Sequence, residues 1–190
     1  MNDSTPISPT ALLIGTSRGI GYSMAAEFVK RGWNVVGTVR GDARTQLHDL
    51  KDAHPGQITI EQVDITDAGQ LRALNGRLSQ CRFDILFVNA GTANRRREDT
   101  IVDISTDEFV QVMLTNALGP MRTIEELDEL VTDKGLIGVM SSGQGSVASN
   151  EKGGHQLYRV GPAQTFRNEK TWDSGSMKLL NRADFEDVPA

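Results

Sequence analysis

Gly15-Thr16-Ser17-Arg18-Gly19-Ile20-Gly21 stands between the apolar run Ala11-Leu12-Leu13-Ile14 and a helix-like run, Tyr22 to Arg31, that stops at Gly32. Strand, glycine loop and helix in that order make a phosphate cradle. Glycines let the backbone turn tightly and approach a pyrophosphate. The helix N-terminus adds unpaired N–H groups and a partial positive charge. Three glycines in seven residues would also suit an ordinary loop. The strand before, the helix after and the motifs further along point instead to nucleotide binding, through Gly15, Ser17, Arg18, Gly19, Ile20 and Gly21.

Working outward, Thr10–Ile14 reads as the first buried strand. Residues 1–9, with Asp3, Pro6 and Pro9, read as a flexible arm with no apolar core of a secretory signal. Downstream, Ile20, Met24, Ala25 and Phe28 recur at helical spacing. Trp33–Val39 is β-rich, and Leu47 and Leu50 mark a helix ending near His54-Pro55-Gly56. Ile58–Val63 alternates as a third strand, and Leu71, Leu74 and Leu78 mark another helix. Phe83–Val88 is an almost continuous apolar run, as expected of a central parallel strand.

Ser105-Thr106-Asp107-Glu108 has the form of a capping box opening a long helix. Gly119-Pro120 is expected to bend that helix, because proline lacks the N–H and crowds the preceding turn. It resumes over Ile124, Leu127 and Leu130, and Leu136–Met140 forms a fifth strand. Strands alternating with helices predict an α/β fold, a Rossmann-type doubly wound parallel sheet with about five recognisable strands. Ligands of such sheets sit outside the C-terminal strand ends, where strand order reverses. One domain is expected over 10–159 and an atypical, disordered tail over 160–190.

The chain has 190 residues, a net charge of −5 and a single cysteine, Cys81. Acidity speaks against a nucleic-acid or anionic-membrane surface, and Arg95-Arg96-Arg97 reads as a solvated loop beside the nucleotide pocket. One cysteine excludes an intrachain disulfide and a cysteine-based metal site, so no metal is expected. No apolar run approaches transmembrane length. A soluble, cytoplasmic protein is the expectation.

A dinucleotide fold selects its cofactor about 20 residues past the glycine loop, where an acidic residue would bind the ribose 2′-hydroxyl and repel a 2′-phosphate. This chain has Arg40 there, 19 positions after Gly21, and Arg18 within the loop itself. Two guanidinium groups suit a phosphate, which favours NADP (NADPH) over NAD. In Val63-Asp64-Ile65, at the end of strand three, Asp64 either accepts from an adenine amino group or caps the following helix. Ile65 is placed beside it at the cofactor.

Gly15-x-x-x-Gly19-x-Gly21 with Val88-Asn89-Ala90-Gly91, Asn116 in the long helix and Ser141-Ser142 ending strand five resembles the short-chain dehydrogenase/reductase family over residues 10 to 159. The wording around Ser142 and Gly153-Gly154-His155 is similar to small carbonyl-reductase-like members. The resemblance implies hydride transfer between NADP(H) and a small-molecule carbonyl or alcohol. By the same resemblance, Asn89, Ala90 and Gly91 line the cofactor and tie strand four to its neighbours. Asn116 holds a relay water, Ser142 (or its neighbour Ser141) bonds the substrate oxygen, and Tyr158 donates the proton. Hydride attack makes an alkoxide, so an O–H must stand within reach to give up its proton, and a second hydroxyl helps hold the charge.

The family's Tyr-x-x-x-Lys reads Tyr158-Arg159-Val160-Gly161-Pro162 in this chain. Without the lysine, the tyrosine lacks the cation that would lower its pKa from about 10. Gly161-Pro162 is also a poor helix interior. Beyond Arg159 the family's C-terminal strands are not recognisable. The substrate-covering segment and the usual oligomer surface are expected to be impaired, and strand five to be a sheet edge. Three readings stay open: an active or impaired NADP-dependent reductase, an inactive NADP(H)-binding pseudoenzyme, or a gene product truncated by a frameshift, a retained intron or a gene-model error.

Overall fold

Along Ala11-Leu12-Leu13-Ile14 successive side chains point to opposite faces, as a strand requires. Leu12 and Ile14 enter one core with Leu71, Leu74, Phe83 and Leu127. Ala11 and Leu13 enter a second with Met24, Ala25, Val29, Leu47 and Phe87. The strand is therefore apolar on both faces, with helices above and below. A computed structural model of the chain describes residues 8–96, 99–140, 142 and 157. Its elements run β1 (Thr10–Ile14), α1 (Gly19–Lys30), β2 (Asn34–Val39), α2 (Gln46–Ala53), β3 (Ile58–Gln62), α3 (Ala68–Leu78) and β4 (Phe83–Val88). Then come α4 (Thr106–Met113), a π-helical turn (Leu114–Leu118), α5 (Gly119–Leu127), a 3-10 turn (Asp128–Leu130) and β5 (Val131–Val139).

The sheet is parallel throughout and ordered β3-β2-β1-β4-β5. From β1 the chain winds outward to β2 and β3, then returns to the other side of β1 for β4 and β5. The point of reversal is thus between β1 and β4. This is the doubly wound α/β sheet expected, with the five strands expected. Among the described residues β5 forms one edge. The tail, residues 160–190, and the arm up to residue 7 lie outside the described residues.

Several local expectations need correction. Helix α1 begins at Gly19 rather than Tyr22, so the last two loop glycines belong to the helix. Around Gly119-Pro120 the helix is π-helical over Leu114–Leu118 and α-helical again from Gly119. Pro120 is the second residue of α5, and Leu118 and Gly119 before it have right-handed helical angles, so the helix runs on through the proline. The capping box at Ser105 is half made. The Ser105 hydroxyl accepts from Glu108 N–H at 3.2 Å, but the Glu108 carboxylate reaches away and accepts from Arg95 N–H at 2.7 Å. Leu130 lies in the 3-10 turn, and β5 begins at Val131, five residues before its expected start. Its pairing jumps from Phe83↔Val131 to Ile85↔Leu136, so a bulge absorbs the polar Thr132-Asp133-Lys134-Gly135.

Candidate functional site

Because β1 and β4 are neighbours that feed opposite halves of the sheet, their C-terminal ends diverge. A crevice of about 500 Å³ opens there. It is lined from β1 by Ile14, Gly15, Ser17 and Arg18, from β2 by Thr38, Val39, Arg40 and Gly41, and from the next loop by Ala43 and Thr45. Val63, Asp64 and Ile65 follow β3; Asn89, Ala90, Gly91 and Thr92 follow β4; Thr115 comes from the π turn.

The glycine loop fits its place through close backbone contacts. Gly15 has φ +90°, and a Cβ there would stand 2.8 Å from both the nitrogen and the Cα of Ala90. At Gly21 a Cβ would fall on the Gly15 carbonyl oxygen. Asn89 Nδ2 donates to that same carbonyl at 2.9 Å, and the N–H groups of Asn89 and Ala90 both donate to the Ile14 carbonyl at 2.9 Å. Asn89 therefore ties β4 to the glycine loop. Side chains larger than hydrogen at Gly15 or Gly21 would push the loop off β4 and out of the cradle. Gly19, Ile20 and Gly21 form the first turn of α1 and do not line the crevice themselves.

Two threonines, neither of them singled out by the sequence, complete the loop. Thr38 is 1% exposed and Thr16 is fully buried. The Thr38 hydroxyl oxygen accepts from Gly15 N–H at 2.9 Å. Thr16 N–H and Thr16 Oγ1 both donate to the Thr38 carbonyl, at 2.9 and 3.0 Å. The available signal was a polar residue inside the buried run Val35-Val36-Gly37-Thr38-Val39, where a parallel strand is normally apolar.

Arg18 and Arg40 are exposed, and both line the crevice. Among the described residues neither guanidinium has a carboxylate partner. By contrast, Arg44 is engaged by Asp49 at 2.7 Å and Asp52 at 2.5 Å, which props the loop carrying Ala43 and Thr45. The bond to Arg44 holds the Asp52 carboxyl below its ordinary range. Asp64 lines the crevice, and its Oδ1 accepts from Thr66 N–H at 2.9 Å and Thr66 Oγ1 at 2.7 Å. It is not the cap of α3. That is Asp67, which accepts from Gly69 N–H at 2.8 Å and Gln70 N–H at 3.1 Å. Bonds from Gln70, backbone first and then side chain, lower the Asp67 carboxyl below its usual value, with Gly69 N–H adding to them.

Asn116 sits in the π turn and meets the loop after β4 with both ends of its amide. Its Oδ1 accepts from Thr92 N–H at 2.8 Å and its Nδ2 donates to the Thr92 carbonyl at 2.7 Å. Its side chain thus clamps the loop beside Gly91. Ser142 is half-buried, just past β5, and like Asn116 is not among the crevice-lining residues. Ser141, Tyr158 and Pro162 lie outside the described residues. Among the described residues no His, Cys, Asp or Glu cluster could hold a metal ion, and no helix is long and apolar enough to cross a membrane.

The arrangement can seat an extended anionic ligand across the strand ends, with backbone N–H groups at one point and two guanidinium groups at another. Comparisons with known proteins show what the chain is similar to. The sequence model of a family described as enoyl-(acyl carrier protein) reductase matches residues 14–161. A 1-hydroxy-2-glutathionyl-2-methyl-3-butene dehydrogenase from Rhodococcus sp. strain AD45 is 29% identical over 181 residues, which is 90% of this chain and 76% of that protein. An NADPH-dependent pterin aldehyde reductase from Arabidopsis thaliana is 28% identical over 141 residues, 72% of this chain and 57% of its own length. A Burkholderia multivorans short-chain dehydrogenase/reductase solved with bound NADP superposes with a TM-score of 0.86 at 52% identity, covering 91% of this chain and 77% of that one. A Pseudomonas aeruginosa PAO1 carbonyl reductase in complex with NADP gives 0.82 at 26% identity, covering 91% and 80%.

Proposed function

The chain belongs to the short-chain dehydrogenase/reductase family of oxidoreductases, and from that premise we propose that it binds NADP(H) in the crevice and reduces a small carbonyl compound. The observation that carries the cofactor is the pair Arg18 and Arg40, exposed at the crevice and unpartnered by carboxylates among the described residues. A 2′-phosphate is the group that two such guanidiniums discriminate, whereas a dephosphorylated ribose would leave both without an anion. The cradle fits a pyrophosphate on its own terms. Gly15 brings backbone against backbone at Ala90, and α1 presents its N-terminus with no acidic residue in its first turn.

In this reading Gly15 and Ser17 line the seat of the phosphates, and Gly19, Ile20 and Gly21 supply the helix N-terminus behind it. Asp64 and Ile65 face the adenine, and Asn89, Ala90 and Gly91 support the far half of the cofactor. The reduced nicotinamide supplies hydride when bound. Ser142 donates a hydrogen bond to the substrate carbonyl oxygen, Tyr158 gives that oxygen its proton, and Asn116 holds the loop and relay at the reacting end. The relatives named for aldehyde and carbonyl reduction support the reaction class.

Pro162 at the family's lysine position favours a second reading, an NADP(H)-binding protein without turnover. One set of assays separates the two. Fluorescence titration with NADPH and NADH, on wild type and Arg40→Ala, reads the cofactor. Wild type is expected to prefer NADPH, and Arg40→Ala to lose about tenfold for NADPH with little change for NADH. Equal affinity for both nucleotides in wild type would refute the NADP assignment. Turnover of a carbonyl panel by wild type and Pro162→Lys then reads catalysis. Binding without turnover in wild type would leave the second reading standing.

A further inference from the structure

We infer that Thr38 is a positioning residue for the cofactor: its buried hydroxyl sets the backbone angle of Gly15, and with it the geometry of the phosphate cradle. The inference rests on the NADP(H) reading above. Regular pairing between β1 and β2 ends at Leu13↔Gly37. Beyond that point the two chains are held together by three bonds between the threonines and the loop: Gly15 N–H to Thr38 Oγ1 at 2.9 Å, Thr16 N–H to the Thr38 carbonyl at 2.9 Å, and Thr16 Oγ1 to the same carbonyl at 3.0 Å. Gly37 makes the approach possible, because a Cβ there would stand 2.7 Å from Thr16 Oγ1.

The first of these bonds matters most. Gly15 holds φ +90° with Ala90 standing where a Cβ would be, and its N–H is met from the β2 side by Thr38 Oγ1. Backbone N–H groups of a phosphate cradle must point at the ligand or be paired elsewhere; Gly15 N–H is paired with Thr38. Fixing that one donor fixes the direction in which the following residues, Thr16 to Arg18, leave the strand. Thr38 also lines the crevice, and among the described residues its hydroxyl proton has no acceptor.

The test uses the intact chain and NADPH, titrated by fluorescence below the unfolding midpoint of every variant. Thr38→Val keeps the shape and removes the hydroxyl. It is expected to raise the Kd for NADPH about tenfold, since Gly15 N–H is left unpaired. Thr38→Ser restores the oxygen and is expected to bind as wild type does. Thr16→Val, a second variant that deletes one of the three bonds, is expected to weaken binding about threefold. Unchanged affinity in Thr38→Val or Thr16→Val, or a tenfold loss in Thr38→Ser, would overturn the inference. A lower Tm with unchanged affinity would show a structural role only. If the wild-type chain itself does not bind NADPH, the NADP(H) reading falls first and the inference with it.

Discussion

Replacing Gly15 by alanine tests the glycine loop at its tightest point. Two costs add there. An L-residue at φ +90° is strained, and the new Cβ would press on Ala90 N and Cα at 2.8 Å. The obstacle is the Ala90 backbone, in the loop after β4, rather than a flexible side-chain tip that could swing away. Left-handed strain costs about 1–2 kcal/mol and overpacking about 1–3 kcal/mol, so Gly15→Ala should lose about 2–5 kcal/mol. At about 2–4 °C per kcal/mol for a chain of this size, Tm should fall by roughly 4–20 °C. Gly56 supplies the control, since it has φ +87° and nothing stands within 4 Å of where a Cβ would be. Gly56→Ala carries only the strain, about 1–2 kcal/mol. Urea unfolding of wild type and both variants measures the difference. Equal destabilisation by the two substitutions would refute the claim that the loop is packed against β4 through Gly15.

Three further outcomes are expected. Asn116→Ala removes two bonds to the Thr92 backbone and leaves that N–H and carbonyl without their clamp, at about 1–3 kcal/mol in urea unfolding. Its effect on NADPH binding should be smaller than that of Gly15→Ala, because Asn116 does not line the crevice. The Asp67 carboxyl is lowered in the folded chain by its bonds from Gln70 and Gly69. A depressed folded pKa gives stability that is present above the unfolded value of about 3.9 and lost as pH falls through the folded one. The stability gap between wild type and Asp67→Ala, followed from pH 7 downward, should therefore hold until about pH 4 and narrow below it. Arg44→Ala frees the loop carrying Ala43 and Thr45 and should change stability little, because the ion pairs with Asp49 and Asp52 are exposed.

How much of this was legible in the sequence depends on what each residue had to do. Buried parallel strands advertise themselves: β1 and β4 occupy the same residues, Thr10–Ile14 and Phe83–Val88, that their apolar runs marked. Strand β5 was read short because its first half is polar. Asp133 and Lys134 lie on an exposed bulge, where pairing rather than burial defines the strand. Leu127 and Leu130 share a spacing of three, which fits a helix and a 3-10 turn equally. The π turn over Leu114–Leu118 stands just ahead of Gly119-Pro120, and apolar periodicity alone does not mark it.

The crevice was legible in outline. Arg18, Arg40, Asp64 and Asn89 all reach it, because their strands end together at the reversal of the sheet. What could not be read was which carboxylate caps α3, since Asp64 and Asp67 stand one short turn apart and only geometry assigns the cap to Asp67. Thr16 and Thr38 were missed for a related reason. Threonine is an ordinary strand residue, and its role appears only when β1 and β2 are brought side by side.

The most direct test of NADP(H) binding in this crevice is thermal unfolding of the purified chain alone, with excess NADPH, and with the same concentration of NADH. A ligand that binds only the folded state at 100 times its Kd adds about 2.7 kcal/mol. A single cooperative transition should therefore rise by roughly 5–11 °C with NADPH, and by clearly less with NADH. A transition that neither nucleotide moves would contradict the account.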